Sequence, residues 1–331
     1  MVTYGDVKTI FNSNTVVATM QKLPNLSSPV MDLVFTDRIQ HPFAIVSKNL
    51  ITPNVKELPV VLRGSPAIPL GGDKMELSFY EPCPVRFSRT LTAVDLNDLA
   101  LLQQKGDSAV WVANYIDSMR KIARKTCEAI CAIAISTGKI NWPMQMNTGP
   151  HEVYIVDYGS PKEFQPVKKW DESKVGMADV YNTLKGIRQI LRNEGFGGEI
   201  EVWAGTAAFE ALLAIAQVHP EKSSLGVSVI EGGINVAGYI IKERGEIYTD
   251  PSTKQATPIM AVGNLLMVAK DAGHKLVYCA IDDVDAQLQP LPFFVKPVKI
   301  DDPSEIRLIA ESKPFPIVNV NGVCTASVLQ G

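Results

Sequence analysis

Few of the side chains that could do chemistry are arranged to do it. Four histidines, His41, His151, His219 and His274, titrate nearest neutral pH, and they lie far apart. A Ser–His–Asp or Cys–His site is assembled in space, so separation is no bar, but no nucleophile pattern accompanies any of the four. The chain holds no zincin pattern, no phosphate-binding Gly-Lys-Ser/Thr loop and no Cys-x-x-Cys pair. Cys127 and Cys131 are four apart and share one face of a helix. They could ligate a metal only with two further ligands, which no nearby pattern supplies; core packing is the simpler reading. Gly195-Phe196-Gly197-Gly198 looks like part of a dinucleotide loop, yet it follows a helical pattern and precedes a strand-like one, the reverse of what such a loop requires. It reads as a helix stop.

Two charged clusters remain. Asp282, Asp283 and Asp285 could bind a divalent cation, but a polar turn or a donor of intersubunit ion pairs is the preferred reading. Arg120, Lys121, Arg124 and Lys125 form the one dense basic stretch. Its default reading is a solvated helix face; the alternative is contact with nucleic-acid phosphates. No catalytic, cofactor-binding or metal residue is assigned, and no cofactor is expected.

The elements that would position these residues follow from composition and pattern. With 46% hydrophobic and 20% charged residues over 331 positions, the chain reads as soluble and globular, large enough for two subdomains. A net charge of -3 argues against a protein devoted to nucleic-acid binding. Five scattered cysteines suggest reduced thiols and a cytoplasmic site of assembly. The N-terminus does not read as a signal peptide, and no apolar run is long enough to span a bilayer.

Residues 1–50 carry short helical patterns around Val7, Ile10 and Phe11 and from Val16 to Met20, followed by a proline-punctuated stretch. They read as an arm laid over its own body or a neighbour. Residues 51–92 alternate with period two around a tip at Gly64–Asp73, which predicts a long β-hairpin. Such a ribbon cannot bury its own apolar face and is marginal alone. Gly71 and Gly72 supply permissive backbone at its tip.

The strongest pattern runs from about Ser108, read as an N-cap, to Ser136. Apolar residues recur at Val112, Tyr115, Ile116, Met119, Ile122, Ala123, Cys127, Ile130 and Ala134, which predicts one long amphipathic helix stopped by Gly138. His151–Asp157 reads as a strand. Residues 160–290 read as a compact α/β unit: a helix through Val180, Leu184, Ile187 and Leu191, a strand Glu199–Ala204, then a helix capped by Thr206. Strand-like runs follow at Ile234–Ile241 and Ile259–Val268, separated by a polar loop at 246–257. At the end, Ile306–Ala310 and Ile317–Val320 read as strands, and Asn321-Gly322 signals a tight hairpin into Val323–Leu329.

This order of arm, hairpin, long helix, α/β unit and closing β section resembles the Hong Kong 97 fold of tailed-phage major capsid proteins. Local segments are similar to the lambda-type family, phage major capsid protein E. They are Leu33–Phe43, Leu50-Ile51-Thr52-Pro53, the passage Asp179–Ala216, Ile281–Gln287 and Asp302–Ile317. The resemblance implies an α+β fold with an N-terminal arm (1–50), an extended E-loop (51–92), a peripheral domain with a spine helix (93–160), an axial domain (161–290) and a closing β section of the peripheral domain (291–331).

It also implies a non-enzymatic subunit that assembles into hexamers and pentamers of an icosahedral virion shell around double-stranded DNA, formed in the host cytoplasm. The expected partners are other copies of the chain, a portal and a decoration or cement protein, with weak non-specific contact to DNA. No scaffolding extension precedes the arm, so a separate scaffold is expected. No crosslinking lysine–asparagine pair is identifiable, although Lys74 lies near the hairpin tip, so the shell is expected to be non-covalent. Expected intersubunit contacts are Leu33, Phe35 and Phe43 from the arm and Met75, Leu77, Phe79, Val85, Arg86, Phe87 and Arg89 from the hairpin. Arg120, Lys121, Arg124 and Lys125 are the candidates for facing DNA. The alternatives are an encapsulin-like compartment, which shares the fold, and a soluble α/β enzyme built on residues 160–290.

Overall fold

The computed structural model describes residues 3–47, 79–105, 108–145, 152–218, 226–250, 253–301 and 304–330. The chain divides into two compact units. The first is Met1–Ile45, Glu81–Ile130 and Lys275–Pro316; the second is Val46–Tyr80, Cys131–His274 and Ile317–Gly331.

In the first unit the arm forms α1 (Tyr4–Ile10), α2 (Ser13–Lys22) and α3 (Pro29–Leu33). Thr3 and Asp6 make a reciprocal capping box at the start of α1, and the Asn12 side chain accepts from Thr15 N at the start of α2. Both helices lie on their own body. Val7, Phe11 and Val16 are buried in one core with Leu99 of α4 (Ala93–Lys105) and Val112, Ile116, Met119 and Ala123 of α5 (Ser108–Thr137). The other wall of that core is a three-stranded antiparallel sheet. It orders β16 (Phe294–Asp301), β17 (Ser304–Ser312) and β4 (Val85–Leu91), with β17 in the middle. Ile306, Leu308 and Ala310 alternate into the core, as the pleat requires.

The same unit holds β1 (Asp37–His41), paired in parallel with β15 (Lys275–Cys279), in a sheet completed by β18 (Pro314–Ile317). The pattern of residues 37–41 alone predicts no element within the arm. Their alternation is weak, and they become a strand because β15 offers a parallel edge.

The long helix is the predicted one. Its 30 residues give a rod of roughly 45 Å at 1.5 Å rise per residue. The helix includes Ser108 as a helical residue, not as its cap. Of the predicted apolar face, Ile122 is the exception, more than half exposed. From Ala129 to Ile135 every residue is buried, so the last turns have no solvent face. Gly138 stops the helix in the left-handed region (φ +73°), its N–H donating to Ala134 O; a Cβ there would lie 2.0 Å from Gly159 O.

The second unit is built on a seven-stranded sheet. Its order is β7 (Lys162–Glu163), β19 (Val323–Ser327), β14 (Asn264–Ala269), β8 (Ile200–Ala204), β11 (Tyr239–Glu243), β10 (Gly233–Val236) and β9 (Val227–Ile230). Helices α6 (Met177–Asn193) and α7 (Thr206–Val218) bury Val180, Leu184, Ile187, Leu191 and Leu212 in one core with Val202, Ile234 and Met267. Three short ribbons complete it: β2 (Val46–Ser47) with β3 (Phe79–Tyr80), β5 (Lys139–Met144) with β6 (Glu152–Asp157), and β12 (Ile247–Thr249) with β13 (Ala256–Pro258).

Several expectations change here. Ile234–Ile241 is not one strand but the hairpin β10–β11, turning at Ala237-Gly238 with φ +50° and +91°, and Gly238 N donates to the Asn235 side chain. The polar loop at 246–257 carries β12 and the start of β13. Thr206 is the first helical residue of α7 rather than its cap. The predicted Asn321-Gly322 hairpin does not form: Val320–Gly322 is a 3-10 turn, and β18 and β19 join different sheets. The buried Asn319 overrides the local turn preference, since its side chain donates to Ala272 O and accepts from Asn321 N. Consequently β19, within the stretch expected to close the peripheral domain, lies between β7 and β14.

Candidate functional site

The polar face of α5 is where the predicted basic arc resides, and the fold turns much of it inward. Arg120 donates to Pro24 O and to Asp117 Oδ1, both at 2.8 Å. Arg124 donates through Nε to Ser28 Oγ (2.6 Å) and through Nη2 to Asp32 Oδ1 (2.7 Å). Arg38 of β1 reaches the same Asp32 oxygen at 2.5 Å. One helical turn on, Glu128 accepts from the backbone N–H groups of Val30 (2.7 Å) and Met31 (2.9 Å) at the start of α3. Burial pushes the Glu128 carboxyl above its ordinary pKa, although these N–H donors and Arg124 act the other way. Burial would likewise raise Asp32, but the Ser28 N–H and the two guanidiniums outweigh it and hold it below the usual carboxylate range.

The four residues expected to face DNA therefore differ in exposure. Arg120 and Arg124 clamp the arm to the helix; Lys121, ion-paired with Asp117 at 2.6 Å, and Lys125 are the exposed members.

The expected contact residues divide in a similar way. Phe35 is fully buried in its own unit and presents no surface to a neighbour. Leu33 is half-buried, whereas Phe43 is 64% exposed beside His41 (ring centroids 5.4 Å). Met75 and Leu77, the hairpin tip and Lys74 lie outside the described residues. Phe79 is exposed on β3, where it pairs with Ser47, so both ends of segment 48–78 leave one small ribbon. Tyr80 ties that ribbon to β6, its hydroxyl donating to Asp157 O at 3.3 Å.

The returning limb of the predicted hairpin, Val85–Leu91, is β4, hydrogen-bonded to β17 in its own subunit. Val85 is half-buried there, and Phe87 packs on the core behind the sheet. Arg86 pairs with the buried Glu311 at 3.4 Å, and Arg89 donates to Ser118 Oγ and lies over the Tyr115 ring at 4.2 Å. Val85, Phe87, Arg86 and Arg89 thus make contacts within the subunit, while Arg86 and Arg89 also stay exposed.

The aspartates at 282–285 are also satisfied internally. Lys296 pairs with Asp283 (2.6 Å) and Asp285 (2.9 Å), and the buried Lys313 pairs with Asp282 (2.7 Å). They serve as partners of lysines within the subunit, in the polar turn that was one of the two expected readings. Among the described residues no cluster of His, Cys, Asp or Glu could hold a metal ion, and no helix is long and apolar enough to cross a membrane. Cys127 and Cys131 are buried on the apolar face.

Exposed apolar groups that the sequence reading missed are Val94 and Leu101 of α4, Val153 and Ile155 of β6, Val229 on the edge strand β9, and Val284. The signal for β6 was available, because Glu152–Asp157 is apolar on both faces although only one can be the core side.

A family model described as phage major capsid protein E matches residues 12–328. Among solved structures, the chain is similar to a capsid protein of a prophage from E. coli CFT073, with 15% identity and a TM-score of 0.63, covering 96% of this chain and 99% of that one. It is also similar to a chain of the satellite phage P4 procapsid that includes the size determination protein, with 12% identity and a TM-score of 0.51, covering 96% and 91%. No curated protein matches by sequence.

Proposed function

Because the chain belongs to the phage major capsid protein E family, we propose that it is the subunit of an icosahedral phage head, assembling through hexamers and pentamers into a shell around double-stranded DNA. The observation that carries this reading is the family match over residues 12–328, spanning both units. The role is structural and non-enzymatic. In this reading the first unit with α5 as spine forms the peripheral wall, the α/β unit on the seven-stranded sheet is the axial domain, and the part of segment 51–92 that precedes β4 is the E-loop that reaches a neighbour. Assembly takes place in the host cytoplasm, with a portal among the partners of the shell.

Several surfaces suit such assembly. Phe43, Phe79 and Val229 expose apolar area, and β9 ends its sheet among the described residues, where a second chain could extend it. Each contact would be modest alone, and shell closure multiplies them. Lys121 and Lys125 remain as weak, sequence-independent contacts to packaged DNA. Negative-stain microscopy of the purified chain tests the reading: shells, tubes or capsomers are expected, and a small monodisperse oligomer under all assembly conditions would reject it.

A further inference from the structure

A cavity of about 410 Å³ opens in the first unit beside α5. Three guanidiniums, Arg38, Arg120 and Arg124, line it with a single carboxylate, Asp32, and apolar groups such as Met20 and Phe293. That carboxylate is already fully used. Its Oδ1 accepts from both Arg38 and Arg124, and its Oδ2 accepts from Ser28 N at 2.8 Å. Two other acids lie close but do not line the cavity: Asp117 is committed to Arg120 and Lys121, and Glu128 to Val30 N and Met31 N.

Donors are therefore left over. Arg120 Nε is buried with no acceptor among the described residues. Among those residues Arg38 bonds through Nη2 alone, and Arg124 through Nε and Nη2 alone. A buried guanidinium donor without an acceptor, as at Arg120 Nε, is costly, and three guanidiniums around one space match a tetrahedral oxyanion. The volume falls in the range of small-ligand sites.

We propose that this cavity binds a phosphate-class oxyanion, held by Arg38, Arg120 and Arg124 between the arm and the long helix. The anion is either free phosphate or a phosphate group of nucleic acid. It bridges α5 to the arm and joins the Asp32 clamp in holding them together. The inference rests on these residues and not on the shell role.

Calorimetric titration of the full chain with inorganic phosphate, at ionic strength held constant with chloride, tests it. One saturable site per chain is expected. Affinity should fall by about tenfold or more in Arg38→Gln and in Arg120→Lys, and stay unchanged in Lys185→Gln, an exposed lysine of the second unit. Absence of saturable binding, or equal affinity in the wild type and both arginine variants, overturns the proposal. Phenylglyoxal labelling of the wild type gives a readout that does not depend on the variants folding: phosphate should protect Arg38, Arg120 and Arg124, and unprotected labelling overturns the site. A short DNA duplex that competes with phosphate assigns the anion to nucleic acid; one without effect assigns it to free phosphate, and either result upholds the site.

Discussion

At the scale of single residues, Glu128 shows how this fold uses a polar group that looks incidental in sequence. Its two oxygens satisfy two N–H groups at the start of α3, where a five-residue helix has no capping side chain of its own. Glu128→Gln keeps the shape but sets an amide N–H₂ against one of those donors. Urea denaturation should show a loss of about 1–3 kcal/mol, the usual cost of an unsatisfied buried donor, with faster amide exchange at Val30 and Met31. His274 makes a second case. Burial pushes its pKa down to about 4, so the folded state resists a proton that the unfolded chain accepts near pH 6.5. Stability should therefore be complete above pH 6.5 and decline as the pH falls toward 4, by up to about 3 kcal/mol from this group. A His274→Gln variant whose stability declines just as steeply over that window would remove His274 as the cause.

At the scale of elements, α5 carries the first unit. Met119 sits at the centre of its buried face, against the arm helices and the β16–β17–β4 sheet, whereas Ile122 on the same helix faces outward. Met119→Ala should cost about 2–5 kcal/mol of subunit stability, and Ile122→Ala about 0.5 kcal/mol or less, both read by denaturant unfolding. Equal costs would mean that the helix rotates about its axis relative to the description given above. Strand β4 shows an element whose neighbours decide its role. Its alternation resembles that of a free-standing ribbon, but its hydrogen bonds go to β17. Arg86 is consequently a poor reporter of intersubunit register, because reversing its charge would place a second carboxylate beside the buried Glu311.

At the scale of the whole molecule, the described residues leave apolar groups such as Phe43, Phe79 and Val229 in water. Phe43→Ser and Phe79→Ser should leave the unfolding midpoint nearly unchanged while lowering the yield of closed particles, as counted by microscopy and sedimentation. A parallel fall in subunit stability would instead assign these phenylalanines to the fold. The contact residues that sequence alone singled out divide by this same criterion. Phe35 and Phe87 are spent on the subunit's own cores, while Phe43 and Phe79 are not.

By itself the sequence determined the elements whose signal is local: the long amphipathic helix and its glycine stop, α6 with its buried stripe, the strand at β6, and the order of parts that resembles a capsid subunit. It also showed that chemistry-bearing side chains are few and scattered. Only the tertiary structure decided which strand pairs with which, and which charged groups face inward. Asn321-Gly322 carries a turn preference of local size, which bonds from Asn319 to residues distant in sequence override. Arg120 and Arg124 look like a solvated arc, because helical spacing tells which residues share a face but not what is laid across it. The arm residues that cover them lie 96 positions earlier in the chain, beyond the reach of any periodicity.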